Sequence, residues 1–292
     1  MSRTLVFGAS GQVGSALLKL LGDFGMGADL AQADFAHPES LISILEQVNP
    51  SAIINAAAYT LVEQAESEEE SATIVNADAP GTIARWCAGR GIPFVHYSTD
   101  YVFSGKGTQP WTEENLTAPV NAYGRSKLAG ERLVSMAGGK YLIFRTSWIY
   151  DGKGKNFLNT MLKLARERER IAVVSDQIGG PTYAPDLAKA TLDALAKASQ
   201  TEPFPSGVYH LCGGGETSWH GFATEIFALA KKKKIPLKVK EVLPITSLEY
   251  PAPATRPLNS RLSSEKAKRV LGISLPDWKD ALKRCMTENQ WK

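Results

Sequence analysis

At 292 residues the chain can hold one large domain or two modest ones, with ample length for a buried core. A hydrophobic share of 43% and a charged share of 22% are those of an ordinary globular chain, and a formal net charge of +3 creates no demand for nucleic acid or an anionic membrane. Cys87, Cys212 and Cys285 are odd in number, far apart and outside any CxxC or Cys/His cluster, which argues against a disulfide framework or a metal site and fits a reducing compartment. Met1 to Phe7 meets glycines too soon for a signal peptide, and no apolar stretch reaches membrane-span length, so a cytoplasmic protein is expected.

Thr4-Leu5-Val6-Phe7 reads as a buried first strand, followed at once by Gly8-Ala9-Ser10-Gly11-Gln12-Val13-Gly14 and then by Ser15 to Leu21 at helical period. Strand, glycine turn and helix in that order are the context a phosphate-binding fingerprint needs. Gly8 permits the tight turn, Gly11 lets the backbone approach a pyrophosphate, and Gly14 lets the helix pack closely on the strand. Free N–H groups of Ser10, Gly11, Gln12 and Val13 would then face the anion. The spacing is Gly-x-x-Gly-x-x-Gly rather than the stricter Gly-x-Gly-x-x-Gly, and a plain strand–turn–helix is the competing reading.

Asp34 and Phe35 come near the end of an ill-defined second or third strand, where an acidic residue could bond adenine or a ribose hydroxyl, or merely cap a turn. Ser40 to Val48 is an amphipathic helix, and Ser51 to Tyr59 a buried strand ending in Ala56, Ala57 and Ala58. Three alanines there keep the chain slim where a cofactor would lie. The acidic run Glu66 to Glu70 reads as a solvated helix start favoured by the helix dipole, with no chemistry. His96, inside the strand Pro93 to Tyr97, reads as a packed residue, and Ser98-Thr99 ends that strand on the ligand side.

The next helix, Ala122 to Leu133 with Asn121 as its cap, carries Tyr123 and Lys127. Four residues apart, they share one helical face. A free phenol titrates near about 10 and is a poor acid at neutral pH, whereas an ammonium group close by favours the phenolate. With the Thr99 hydroxyl, this is equipment for moving a proton on or off an oxygen. Alone, a Tyr-x-x-x-Lys pair is weak. Behind a dinucleotide-binding start it gains weight.

Leu142 to Ser147 is another buried strand, so strands and helices alternate over the first 150 residues. That rhythm predicts an α/β fold, a Rossmann-type doubly wound parallel sheet, and beyond it, where the rhythm loosens, a smaller C-terminal α/β domain. Residues 1–150 with about 184–212 are expected to form the dinucleotide-binding domain, and about 151–183 with 213–292 the second domain, which the resemblance given below implies is the sugar-nucleotide substrate domain. Lys231 to Lys234 reads as a solvated helix end, with a polyanion site as the alternative.

The runs Gly11-Gln12-Val13-Gly14, Asn55 to Thr60, Tyr97 to Phe103, Tyr123 to Glu131, Arg145 to Tyr150, Asp176-Gln177-x-Gly179-x-Pro181-Thr182 and Arg256-Pro257-x-Asn259-Ser260 carry a resemblance. Together they resemble the extended short-chain dehydrogenase/reductases and, within them, the dTDP-4-dehydrorhamnose reductase family, from residue 5 to about 262. The resemblance implies NADH or NADPH as cofactor and hydride delivery to the C4 carbonyl of dTDP-4-keto-L-rhamnose, the last step of dTDP-L-rhamnose synthesis. It implies that Tyr123 protonates the alkoxide, that Lys127 depresses the phenol's pKa and holds the nicotinamide ribose, and that Thr99 bonds the keto oxygen. Thr60, Val62, Trp148 and Asn156 would contact the sugar nucleotide, and Arg256 the diphosphate. A core tryptophan and a structural arginine are the competing readings of Trp148 and Arg256. Some members of the family dimerise through a metal held by glutamates, at positions that here correspond to Ala16 and Pro185. Neither can ligate a cation, so a metal-independent monomer is expected. A sugar-nucleotide epimerase, a reductase giving a 6-deoxytalose product and a non-catalytic nucleotide-binding subunit are the alternatives.

Overall fold

A computed structural model describes residues 3–289 and 291. In chain order the first elements are β1 (Thr4–Phe7), α1 (Gln12–Leu21), β2 (Gly25–Ala28), α2 (Leu41–Val48) and β3 (Ala52–Asn55). Next come α3 (Val62–Ala65), α4 (Glu69–Thr73), a π-wound turn (Ile74–Asp78), α5 (Ala79–Ala88), β4 (Phe94–Thr99), α6 (Ala122–Ala137) and β5 (Tyr141–Thr146). The six-stranded sheet has the order β2-β1-β3-β4-β5 with Gly207–His210 beyond β5, and every neighbouring pair is parallel. This is the α/β doubly wound sheet that the alternating pattern predicts. Its order reverses at β1, so the crevice between the C-terminal ends of β1 and β3 is where such sheets bind ligands.

Both faces of the sheet are covered, which is why its strands read as unbroken apolar runs. Val6, Ile54, Val95 and Phe144 pack on one side against α1 and the helix Ala184–Ser199. Leu5, Phe7, Ile53 and Phe94 pack on the other against α2 and α5. β2 was not recognisable as a strand, because two of its four residues are glycine. A Cβ on Gly27 would stand 2.7 Å from the Leu18 side chain and one on Gly25 2.9 Å from Leu21, so close packing of α1 excludes larger residues there.

The remainder is β6 (Ile149–Tyr150), α7 (Phe157–Glu167), β7 (Arg170–Val174), β8 (Ile178–Gly179), β9 (Thr182–Tyr183), α8 (Ala184–Ser199), β10 (Gly207–His210), β11 (Thr217–Ser218), α9 (Trp219–Lys232), β12 (Glu241–Ile245), β13 (Asn259–Ser260), α10 (Glu265–Leu271) and α11 (Trp278–Glu288). Here β7 pairs with β12, β8 lies between β11 and β13, and β6 pairs with β9. A separate apolar core joins α7, α9 and α11 through Leu158, Leu162, Phe222, Ile226 and Leu282. No helix among the described residues is long and apolar enough to cross a membrane.

Candidate active site

The glycine turn has the conformation its sequence demands. Gly8 has φ of 72°, and a Cβ there would stand 2.6 Å from the Ala57 nitrogen. A Cβ on Gly14 would stand 2.1 Å from the Gly8 carbonyl oxygen, so helix and turn touch backbone to backbone. Gly11 sits at the N-cap of α1 in extended conformation, and no side chain caps the helix there. The other long helices that start with a cap, α6, α7, α9 and α11, use Asn121, Asn156, Ser218 and Asp277 for the purpose. An uncapped first turn beside glycines is a ready anion site. Ser10 and Gly11 are exposed, Gln12 half-buried and Val13 buried. Asn55 accepts from the Ala57 N–H at 3.0 Å, which holds the half-buried strip Ala56–Ala58 beside the turn. These features fit a dinucleotide diphosphate.

Asp34 and Phe35 lie six and seven residues beyond the end of β2. Asp34 accepts from the Ala36 N–H at 2.9 Å within a turn, and Phe35 is buried edge-on against Phe7. The acidic residue directly after β2 is Asp29, whose neighbour Ala28 accepts from the N–H groups of Gly8 and Ala9. The sequence concealed Asp29 because it concealed the strand. A carboxylate in this place suits a ribose hydroxyl and repels a 2′-phosphate.

Thr99 ends β4, and α6 brings Tyr123 and Lys127 beside it. Asn121 caps α6, accepting from the Gly124 N–H at 2.8 Å, and its amide donates to the Thr255 carbonyl at 2.8 Å. The Glu66 carboxylate accepts from the Ala122 N–H at 2.7 Å, while Glu69 forms an ion pair with Arg125 on the same helix. The acidic run is therefore a dock for α6 and not only a solvated helix start, a difference set by partners more than fifty residues away. Gly124 and Gly130 let α6 approach closely: their Cβ atoms would stand 2.3 Å from the Tyr101 oxygen and 2.1 Å from the Asn76 oxygen.

The electrostatics differ from the expectation for Lys127. The Lys127 ammonium is buried and donates to the Tyr97 carbonyl at 2.6 Å. Burial pushes its pKa down to about 8, partly opposed by the Glu131 charge one turn away. The Tyr123 phenol, edge-on to Tyr101 at 5.6 Å, is pushed up to about 12. Burial is the main cause, the Asp100 charge adds to it, and the Thr99 hydroxyl pulls the other way. Burial and a carboxylate, and not the Lys127 ammonium, set the direction of this shift. At neutral pH the phenol carries its proton, as a proton donor must.

Beneath these residues runs a polar network that the sequence did not announce. Arg145 meets Glu131 in a two-pronged pair, Nε to Oε1 at 2.8 Å and Nη2 to Oε2 at 2.7 Å, with both side chains about 5% exposed. Ser98, next to Thr99, donates to Glu131 at 2.5 Å. The one available signal was Glu131 four residues after Lys127 on the same helical face.

The residues expected to meet a sugar nucleotide fall in two groups. Thr60 is exposed, Val62 begins α3, and Glu63 beside it pairs with Arg256 at 2.6 Å and accepts from the Ala254 N–H at 2.8 Å. Arg256 thus already has a carboxylate partner while remaining about a third exposed. Trp148 adopts φ of 49°, rare for a bulky residue, and stacks on Trp219 at 3.6 Å between ring centroids. A Cβ on Gly179 would stand 2.9 Å from the Trp148 ring. Trp219, unnoticed in the sequence, occupies one face of Trp148. Asn156 caps α7, and its amide donates to Gln12 Oε1 at 2.8 Å, tying the start of α7 to the start of α1. No group of three or more potential metal-ligating side chains occurs among the described residues.

A parallel sheet that reverses at β1, a glycine turn there, and Thr, Tyr and Lys meeting at the end of β4 define an extended short-chain dehydrogenase/reductase. Residues 2–291 match the family described as the RmlD substrate binding domain. The dTDP-4-dehydrorhamnose reductase of Burkholderia thailandensis is 47% identical, over 98% of each chain, and that of Escherichia coli K12 43% identical over 97% of each. The crystal structure of dTDP-4-dehydrorhamnose reductase from Bacillus anthracis in complex with NADP superposes with a TM-score of 0.91 at 36% identity, covering 99% of this chain and 100% of that one. The chain belongs to the dTDP-4-dehydrorhamnose reductase family.

Proposed function

We propose that this chain reduces the C4 keto group of dTDP-4-dehydro-L-rhamnose to give dTDP-L-rhamnose, with NADH or NADPH as reductant. The observation that carries the reading is the meeting of Thr99, Tyr123 and Lys127 at the end of β4, in a chain similar over its whole length to reductases of that name. When bound, the reduced nicotinamide supplies the hydride. Tyr123 gives its proton to the C4 oxygen as negative charge develops there, and Thr99 bonds the same oxygen. Lys127, anchored on the Tyr97 carbonyl, is left with further N–H donors for the nicotinamide ribose. The α1 turn around Gly8, Ser10, Gly11, Gln12, Val13 and Gly14 takes the diphosphate of the dinucleotide, with Ala56 to Ala58 alongside. Asp29 joins Asp34 and Phe35 as a candidate for the adenosine end.

Thr60, Val62, Trp148, Asn156 and Arg256 form the candidate sugar-nucleotide side. For Arg256 this requires sharing its guanidinium between Glu63 and a phosphate, which its five donors allow. Residues 1–150 with about 184–212 serve the dinucleotide, and the rest, with its own apolar core, the sugar nucleotide. Ala16 and Pro185 support a metal-independent monomer, and three buried free cysteines fit the cytoplasm. An EDTA-sensitive dimer in sedimentation would refute the first.

The test is oxidation of NADH and NADPH with the keto sugar nucleotide generated in situ, comparing wild type with Tyr123→Phe. Sugar-dependent oxidation that falls by roughly 10²–10⁴-fold in the variant is expected. No turnover by folded wild type with either coenzyme would discard the reductase reading.

A further inference from the structure

Asp176, Gln177 and Trp219 have no part in the proposed chemistry, yet they join the two groups of candidate sugar-nucleotide residues. Trp219, the first residue of α9, stacks on Trp148 with 3.6 Å between ring centroids and 12° between planes. Its centroid is also 4.5 Å from that of Phe157, which follows Asn156. The Trp219 Nε1 can only donate, and it meets Oε1 of Gln177 at 3.1 Å. The Gln177 amide, about 6% exposed, must then turn Nε2 the other way, where it donates to the Ser247 hydroxyl at 2.9 Å. That hydroxyl gives its own proton to Asp176 Oδ1 at 2.7 Å, and the Ser247 N–H donates to the same carboxylate at 2.9 Å. Each donor and acceptor in this series has one role, so the amide cannot flip without orphaning a buried group. Ser247 opens a segment that ends where the Ala254 N–H and the Arg256 guanidinium meet Glu63, and where the Thr255 carbonyl accepts from Asn121, the cap of α6.

We propose that Trp219 is a positioning residue for sugar-nucleotide binding: latched by Gln177 to Ser247, it holds the Trp148 ring as a fixed wall and keeps that wall in register with Arg256. The proposal rests on the reading of Trp148 as a sugar-nucleotide contact. Trp148 sits at φ of 49°, a conformation that a bulky residue keeps only where its surroundings hold it. The Trp219 stack holds one face, and the absence of a Cβ on Gly179, which would stand 2.9 Å from the ring, leaves room for it. A wall fixed before the ligand arrives loses no further freedom on binding. Removing the buttress should therefore weaken sugar-nucleotide binding and leave hydride transfer and coenzyme binding in place.

The experiment compares wild type with Trp219→Leu, Trp219→Phe, Gln177→Leu and Trp148→Leu. Steady-state kinetics give kcat and the KM values of sugar nucleotide and coenzyme, and calorimetry gives the affinity of coenzyme-loaded protein for dTDP-L-rhamnose. Trp219→Leu and Gln177→Leu should each raise the sugar-nucleotide KM and weaken dTDP-L-rhamnose binding by roughly three- to tenfold, with kcat and the coenzyme KM nearly unchanged. Trp219→Phe, which restores an aromatic face without the N–H, should fall between wild type and Trp219→Leu. Gln177→Leu leaves both indoles in place and reads the latch even if Trp219→Leu does not fold. Unmoved sugar-nucleotide binding in folded Trp219→Leu or Gln177→Leu, or a matching loss of kcat and coenzyme binding, would overturn the proposal while Trp148→Leu still binds weakly. If Trp148→Leu binds dTDP-L-rhamnose as wild type does, the reading of Trp148 itself falls and the proposal with it.

Discussion

Replacing Arg145 by methionine keeps most of the side chain's length and removes the guanidinium from Glu131. Both partners are almost wholly buried, and the two-pronged pair is the main partner of the Glu131 carboxylate. Breaking a buried pair by deleting one member typically costs about 3–5 kcal/mol, because the other charge is left without compensation. Here the Ser98 hydroxyl and the neighbouring Lys127 charge remain, so the lower end, about 3 kcal/mol, is expected. Arg145 also lies over the Phe103 ring at 5.0 Å, an apolar contact that methionine largely preserves. Urea denaturation followed by circular dichroism, with the slope unchanged, gives the value. Adding Glu131→Gln should recover part of that loss, since the carboxylate is then no longer orphaned, but not all of it, because the buried Lys127 ammonium loses its neighbouring counter-charge. A loss below about 1 kcal/mol in Arg145→Met alone, or a double variant that is worse than it, would refute this reasoning.

Two further predictions concern carboxylates. Asp29→Ala should raise the NADPH-to-NADH ratio of kcat/KM by about tenfold, a change worth about 1.4 kcal/mol, if Asp29 meets the adenosine ribose; an unmoved ratio would remove it from the site. For stability, the folded pKa of Asp100 is raised from 3.8 to about 6, chiefly by burial. A raised acid favours the fold while protonated, and that contribution is lost as pH rises through the folded value. Asp100→Asn should therefore gain on wild type between about pH 4 and pH 7, by up to about 3 kcal/mol. Thermal melts of both proteins at the two pH values check this, and a constant difference would contradict it.

Much of the local architecture was legible. The apolar run before Gly8, the glycine turn and the period of α1 were read together because each depends on residues a few positions apart. The Asn121 cap and the shared face of Tyr123 and Lys127 followed from helical geometry in the same way. What failed were strands without a strand's composition and residues with distant partners. β2 hid behind Gly25 and Gly27, and with it Asp29, because the requirement for glycine comes from Leu18 and Leu21 of another element. The acidic run looked solvated because Ala122 and Arg125, which it holds, lie 56 residues further on.

The sequence by itself thus determined the nucleotide-binding start, the alternating sheet and the helix that carries the tyrosine, all properties of neighbours along the chain. Only the tertiary structure decided what the side chains are worth. It paired Arg256 with Glu63, laid Trp219 on Trp148 and joined Arg145 to Glu131. It also turned Lys127 toward the Tyr97 carbonyl and left Asp100 as a charge that raises the phenol. The physical reason is that ionisation depends on burial and on charges gathered from many segments, and neither is written in spacing along the chain.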